Sequence, residues 1–207
     1  MNFKTGIILP LKESFSNEGF GAVSVWVNDY IKSSKYKDNI EFVVGDIRDF
    51  DSVFSAMNDV DEVYHLAALI GIPYSYEAPL SYVKTNIQGT VNVLESARKN
   101  DIELVINTST SETYGSAIYT PIDELHPLQG QSPYSASKIS ADKLAESYYN
   151  SFTVVSPPRR VRFTINHTNT IMAPNGKAFS SQIKKMSKKP LKYNPEEVMV
   201  VKVDMPQ

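Results

Sequence analysis

Between Ile40 and Tyr149 the chain alternates short β-branched runs with segments of helical spacing, and this alternation constrains the fold more than any other feature. Ile40-Glu-Phe-Val-Val44 reads as a strand ended by Gly45-Asp46, and Asp51 to Met57 as a short helix capped by Asp49 or Asp51. Glu62 to Leu66 reads as the next strand, running into the small pair Ala67-Ala68. A long helix is predicted from about Leu80 to Lys99, with Val83, Ile87, Val91, Leu94 and Ala97 on one face. Leu104 to Thr108 is then a strand, and Ser132 to Tyr149 a helix with Pro133 near its start. Ahead of these, Gly6 to Leu9 reads as a short strand stopped by Pro10, and Ala22 to Ile31 as a helix. Strands separated by helices in this order imply an α/β fold, a doubly wound parallel sheet with helices on both faces. Ligands of such sheets lie in the crevice beyond the carboxyl ends of the strands. The ends at Gly45-Asp46, Leu66-Ala67-Ala68 and Thr108-Ser109-Thr110 are expected to converge there.

Composition narrows the chemistry. The 207 residues include no cysteine, which excludes disulfides and thiolate metal sites. His65, His126 and His167 are too scattered to read as a zinc motif, so no metal is expected. No apolar run approaches the roughly 18–20 residues needed to cross a bilayer, and the N-terminus lacks a signal-peptide pattern. No membrane association is expected, and the cytoplasm is the expected compartment. Residues 1–150 hold 11 basic and 20 acidic side chains, residues 151–207 hold 10 and 3, so the charge inverts near residue 150. The lysines at 184, 185, 188, 189 and 192 could attract a diphosphate, although a solvated face is the plainer reading. No nucleic-acid motif accompanies that charge, and no nucleic-acid partner is expected.

The chemically suggestive residues cluster near two predicted elements. Tyr134 and Lys138 are four apart on a predicted helix and so share a face. An ammonium beside a phenol favours the phenolate and would make Tyr134 a usable base. Such a pair arises readily by chance, and its neighbourhood gives it weight. Upstream, at a predicted strand end, lies Asn107-Thr-Ser-Thr-Ser-Glu-Thr-Tyr-Gly115. Hydroxyls there could hydrogen-bond a substrate hydroxyl beside the phenol, and Glu112 could abstract a carbon-bound proton.

Taken in order, Gly45-Asp-Ile-Arg-Asp49, His65-Leu-Ala-Ala68, Thr85-Asn86 with Gly89-Thr90, Ser109-Thr-Ser-Glu-Thr-Tyr-Gly115 and Tyr134-Ser-Ala-Ser-Lys138 resemble the extended short-chain dehydrogenases, the NAD-dependent nucleotide-sugar epimerases and dehydratases. The stretch from Glu124 to Lys138 is similar to the UDP-N-acetylglucosamine 4,6-dehydratases of legionaminic-acid-type pathways. The resemblance covers about 110 of the 207 residues. It implies NAD as cofactor and a UDP-sugar as substrate. Asp46 and Ile47 would border the adenine, and Leu66, Ala67, Ala68 and Thr108 would line the dinucleotide path. Asn86 would hold structure and water behind the sheet. Tyr134 would take the proton of the sugar 4-hydroxyl while hydride passes from C4 to NAD. Lys138 would bind the nicotinamide ribose and tune Tyr134, and Thr110 would hydrogen-bond the 4-hydroxyl. In a dehydratase Glu112 would remove the C5 proton. Some members carry Asp before that Glu to protonate the leaving hydroxyl; Ser111 stands there in this chain and is a poor general acid. The alternatives are a 4-epimerase and a rearranged, inactive member serving as a binding module. Relatives pair two long helices in a dimer, which implies a homodimer through residues of about 80–99 and 132–149.

Both ends depart from the family pattern. Its glycine-rich phosphate turn is reduced to Gly19 and Gly21 ahead of the predicted helix, and its second strand is hard to find. Phe152-Thr-Val-Val-Ser-Pro-Pro-Arg-Arg160 is read as keeping the next strand while losing the substrate-contacting segment. The expected organisation is an atypical strand and helix at 1–39, a Rossmann-like core at 40–155, and a short basic segment at 156–207. The fold is thus expected to be incomplete at the nucleotide-binding turn and truncated in the substrate domain.

Overall fold

The computed structural model describes residues 4–9, 40–152, 162–167 and 197–203. In chain order its elements are β1 (Lys4–Leu9), β2 (Ile40–Gly45), α1 (Phe50–Ala56), β3 (Glu62–His65), α2 (Ile72–Glu77) and α3 (Pro79–Tyr82). A π-helical turn, Val83–Gln88, leads into α4 (Gly89–Lys99), followed by β4 (Leu104–Ser109) and a 3₁₀ turn, Ser111–Thr113. The chain continues through α5 (Pro133–Phe152), β5 (Arg162–His167) and β6 (Glu197–Val203).

All six strands join one sheet in the order β2-β6-β1-β3-β4-β5, and every described pairing is parallel. The chain starts at β1 near the middle, moves out to β2 on one side, then crosses to β3 and β4 on the other. That reversal between β1 and β3 is the topological switch point of a Rossmann-like sheet, where the crevice opens. The place between β1 and β2, for which the sequence offers no evident strand, is filled from the far end of the chain. β6 lies parallel to both neighbours, Ile7 in register with Val200 and Phe42 with the same residue.

Helices α1, α4 and α5 pack side by side against the sheet over one apolar cluster. Ile8 of β1, Val63 of β3 and Val105 of β4 meet Val53, Val93, Leu94 and Ala97 there, all almost fully buried. Each such aliphatic side chain contributes roughly 1.5–3 kcal/mol of burial free energy. The helix predicted over Ala22–Ile31 lies outside the described residues. No helix among the described residues is long and apolar enough to cross a membrane.

Two expectations need correction. The predicted helix of residues 80–99 is interrupted by the π turn, and its buried face departs from the predicted one in the first turns: Val83 is 46% exposed and Thr85, Asn86, Gly89 and Thr90 are buried, while Leu94 and Ala97 are buried as predicted. The extra residue in the π turn rotates the helix so that polar groups enter the interior, where hydrogen bonds satisfy them. Phe152, read as opening a strand, instead closes α5. Its ring lies against Tyr148 one turn back, with centroids 5.2 Å apart, and under the Arg98 guanidinium. This packing continues the helix; residues 153–160 lie outside the described residues, and the next described strand is Arg162–His167.

Candidate active site at the carboxyl ends of the strands

Ser132 starts α5. Its Oγ accepts from the Ser135 amide at 3.0 Å while the Ser135 hydroxyl accepts from the Ser132 amide at 3.0 Å, a reciprocal cap, and Pro133 occupies the first helical position. The cap sets the direction of the first turn and thereby places Tyr134, which is 8% exposed, beside the end of β4. There Thr110 caps the 3₁₀ turn, its Oγ1 accepting from the Glu112 amide at 3.3 Å. The same hydroxyl hydrogen-bonds the Tyr134 phenol. Behind the phenol, Tyr82 packs edge-on with centroids 6.1 Å apart. Tyr82 is itself fixed by donating to the carbonyls of Ile70 and Gly71 at 2.9 and 2.7 Å. Thr110, Ser111, Glu112, Tyr134 and Lys138 are therefore brought together, as the sequence leads one to expect, with Glu112 exposed toward solvent.

The electrostatics differ from the expectation. Burial pushes the Tyr134 phenol above its ordinary value; the Thr110 hydrogen bond pulls it down, and the charges of Glu112 and Asp142 push it further up. The Lys138 Nζ donates to the Thr108 carbonyl at 2.6 Å. Burial lowers Lys138, and the negative charge of Asp142 opposes that fall. His65, beneath this end of the sheet, is depressed to about 3 by burial and then by the Lys138 charge.

The nucleotide side is built around β2 and β3. Asp46 is gripped by Arg48, whose Nε donates to it at 2.9 Å and whose backbone amide does so at 2.9 Å. Burial works against Asp46 ionising, but these bonds and the Arg48 charge hold its carboxyl below the usual value. Ile47 is fully buried against Gly89, where an added Cβ would stand 3.0 Å from the Ile47 side chain. Asn92 donates to the Ile47 carbonyl at 2.9 Å and Gln88 to the Arg48 carbonyl at 3.1 Å, so the π turn and helix α4 together hold this loop. Leu66, Ala67 and Ala68 follow β3; the Leu66 amide donates to the Ile8 carbonyl at 2.9 Å, keeping the two strand ends level. Asn86 takes the Leu69 amide at 2.8 Å and donates to the Leu69 carbonyl and to Ser137 at 3.0 and 2.9 Å. It thus links the β3 loop to α5 behind the site. Gly19 and Gly21 lie outside the described residues.

Several supporting residues had no voice in the sequence reading. Gln88, Asn92 and Ser137 act through bonds to distant backbone or side chains, which no local pattern announces. Asp142 lies one turn beyond Lys138 on the same helical face, a spacing that could have singled it out. Gln129 and His126 pin the loop leading into α5: the Gln129 amide donates to Thr113 at 2.8 Å, and His126 Nε2 accepts from the Ile118 amide at 3.0 Å. Gly115 turns this loop at φ 62°, with Gln129 and Gln131 packed where a side chain would point.

Comparison with known proteins agrees with this geometry. A dTDP-glucose 4,6-dehydratase of Streptomyces antibioticus is 41% identical over 110 residues, 53% of this chain and 33% of that protein. A putative UDP-glucose 4-epimerase of Methanocaldococcus jannaschii is 40% identical over 119 residues, 54% of this chain and 39% of that protein. The matched stretch thus spans between a third and two fifths of these relatives. Among solved structures, a Streptomyces venezuelae dTDP-glucose 4,6-dehydratase with NAD bound superposes with a TM-score of 0.62 at 24% identity, covering 79% of this chain and 55% of that one. UDP-glucose 4-epimerase of Thermotoga maritima, solved with UDP-glucose, gives 0.62 at 20% identity, covering 79% and 54%. These likenesses carry the fold. The sequence pattern of the GDP-mannose 4,6 dehydratase family matches residues 21–195, and the chain belongs to that family of nucleotide-sugar dehydratases and epimerases.

Proposed function

We propose that the chain is an NAD-dependent dehydratase of a UDP-activated amino sugar of the N-acetylglucosamine type. The observation that carries this reading is the convergence of Thr110, Glu112, Tyr134 and Lys138 at the carboxyl end of β4, with Asp46 and Ile47 at the end of β2 in the same sheet. The site fits a dinucleotide: Ile47 is locked on Gly89, Asp46 is held anionic by Arg48, and the backbone after β3 is pinned by Asn86. Asp46 and Ile47 would hold the adenine, Leu66, Ala67, Ala68 and Thr108 the path between, and Lys138 the nicotinamide ribose. When bound, NAD would supply reversible hydride acceptance.

The chain's own groups have defined tasks in this reading. Tyr134 accepts the proton of the sugar 4-hydroxyl, with Thr110 hydrogen-bonding the same oxygen and favouring the phenolate. Lys138 presents its charge at the strand end. Glu112, exposed at the 3₁₀ turn, removes the C5 proton. Ser111 beside it is a weak donor to a leaving hydroxyl, and this one feature favours 4-epimerisation as the second reading, since inversion at C4 requires no elimination. A homodimer through residues of about 80–99 and 132–149 belongs to the same proposal; Leu80, Val83, Tyr149 and Phe152 are exposed on those helices. Light scattering at twice the chain mass supports it, and a monomer refutes it.

The test of the reaction is incubation with NAD and UDP-N-acetylglucosamine in deuterated water, followed by NMR of the sugar. Dehydration creates a C6 methyl group carrying solvent deuterium at C5. Epimerisation inverts C4 without exchange at C5. An unchanged sugar with folded protein defeats both readings.

A further inference from the structure

Asp142 is a carboxylate with 3% exposure, one helical turn beyond Lys138 and two beyond Tyr134. Burying a carboxylate is costly unless it is hydrogen-bonded and compensated. Its two oxygens take separate donors from β4: Asn107 Nδ2 reaches Oδ1 at 3.0 Å, and the Ser109 hydroxyl reaches Oδ2. Asn107 and Ser109 alternate on the strand and so face the same helix, while the carbonyl of the residue between them, Thr108, receives the Lys138 ammonium. The carboxylate and the ammonium thus grip three consecutive residues at the end of β4, the segment that leads directly into Thr110.

We propose that Asp142 is a positioning residue of this site: its buried carboxylate is the counter-charge of Lys138 and the clamp that fixes α5 to the end of β4. The proposal rests on the assignment of Lys138 to the cofactor site. Lys138 is 7% exposed and forms no ion pair within salt-bridge distance among the described residues. The other charged or titratable groups around it are the neutral His65 of β3, Tyr134 on its own helix, and Glu112 on the 3₁₀ turn. In addition, β5 brings His167 into register with Ser109. Of these, only Asp142 favours the charged lysine through its own buried negative charge. Its charge also opposes the phenolate of Tyr134, so the same residue separates the two groups electrostatically: the lysine is kept as cation, the tyrosine as acid until substrate engages it.

The experiment is a pH titration of the Lys138 Nζ resonance in the full chain labelled with ¹⁵N-lysine, the signal assigned by its loss in Lys138→Arg. Neither NAD nor a sugar is needed, so failure of the enzymatic reading leaves this measurement intact. In the wild type, Lys138 is expected to be protonated at pH 7.5; a neutral amine there overturns the proposal. Asp142→Asn retains the shape and can still bond Asn107 and Ser109 while removing the charge. In a folded Asp142→Asn chain the Lys138 midpoint is expected to fall by about one pH unit, the order of effect of one nearby buried charge. An unmoved midpoint refutes the counter-charge. Asp142→Glu, which retains the charge, is expected to restore the wild-type midpoint, and failure to do so counts equally against it. If Asp142→Asn does not fold, the wild-type state of Lys138 and the Asp142→Glu titration decide the matter.

Discussion

His65 should make this protein acid-sensitive in a defined window. The ring is 4% exposed, and its Nε2 stands 3.1 Å from Thr90 Oγ1. The Thr90 proton is already used on the Asn86 carbonyl at 2.6 Å, so Thr90 accepts and the histidine carries its proton on Nε2. Nδ1 then faces the interior with no hydrogen-bond partner. Protonating it would strand a charge away from water and place it near the Lys138 cation, so burial first and the Lys138 charge second lower the folded-state value from 6.5 to about 3. A depressed value means that the folded chain binds the proton less well than the unfolded one. Stability is therefore fully present above pH 6.5 and drains away as pH falls toward 3. At 1.36 kcal/mol per pH unit the loss is about 2 kcal/mol by pH 5 and somewhat over 3 kcal/mol by pH 4. The loss at pH 5 is a large fraction of a domain stability of roughly 5–15 kcal/mol. The lowered carboxylates Asp46, Glu95 and Asp123, whose ordinary values are 3.8, 4.5 and 3.8, lose their contributions mostly below pH 5 and so add little between the two pH values compared. Urea unfolding at pH 7.5 and 5 reads the difference, with His65→Gln as the comparison because it keeps a donor for Thr90 and does not titrate. The wild type should lose about 2 kcal/mol between the two pH values and the variant little of it. Equal losses in the two proteins would refute the reasoning.

Other outcomes follow from the same structure. Tyr134→Phe should leave folding and NAD affinity close to wild type while lowering turnover by about 10²–10⁴-fold, measured by steady-state kinetics. Because burial raises the Tyr134 phenol, turnover should increase as pH rises through the neutral and alkaline range; Thr110→Val removes the bond that lowers it and should move that rise to higher pH. Asn86→Ala strands the Leu69 amide and carbonyl and should cost about 2–4 kcal/mol in chemical denaturation. Gly89→Ala gains about 1 kcal/mol of helix propensity but forces Ile47 aside at a cost of about 1–3 kcal/mol. Calorimetry should show weakened NAD binding in that variant whatever the net change in stability.

The central fold was legible because β-branched runs and helical periodicity agree there with the burial the sheet imposes, as at Leu104–Ser109 and Pro133–Phe152. What escaped was long-range. The polar inner face of the π turn depends on Asn86 reaching Leu69 and Ser137, partners 17 and 51 residues away. The strand between β1 and β2 comes from Glu197–Val203, and no local pattern near Ile40 could reveal a pairing made by the far end of the chain. Tyr134 and Lys138 were legible as a spaced pair, but their electrostatics were not. A ladder of four residues does not show that the ammonium turns to the Thr108 carbonyl, nor that Asp142 lies beneath it.

The central claim is that these strand ends form a dinucleotide site, and isothermal calorimetry of NAD binding to the full chain tests it most directly. The account predicts a saturable heat with one site per chain, weakened at least tenfold in a folded Lys138→Ala variant. No heat up to millimolar NAD, with the protein shown to be folded, would contradict it.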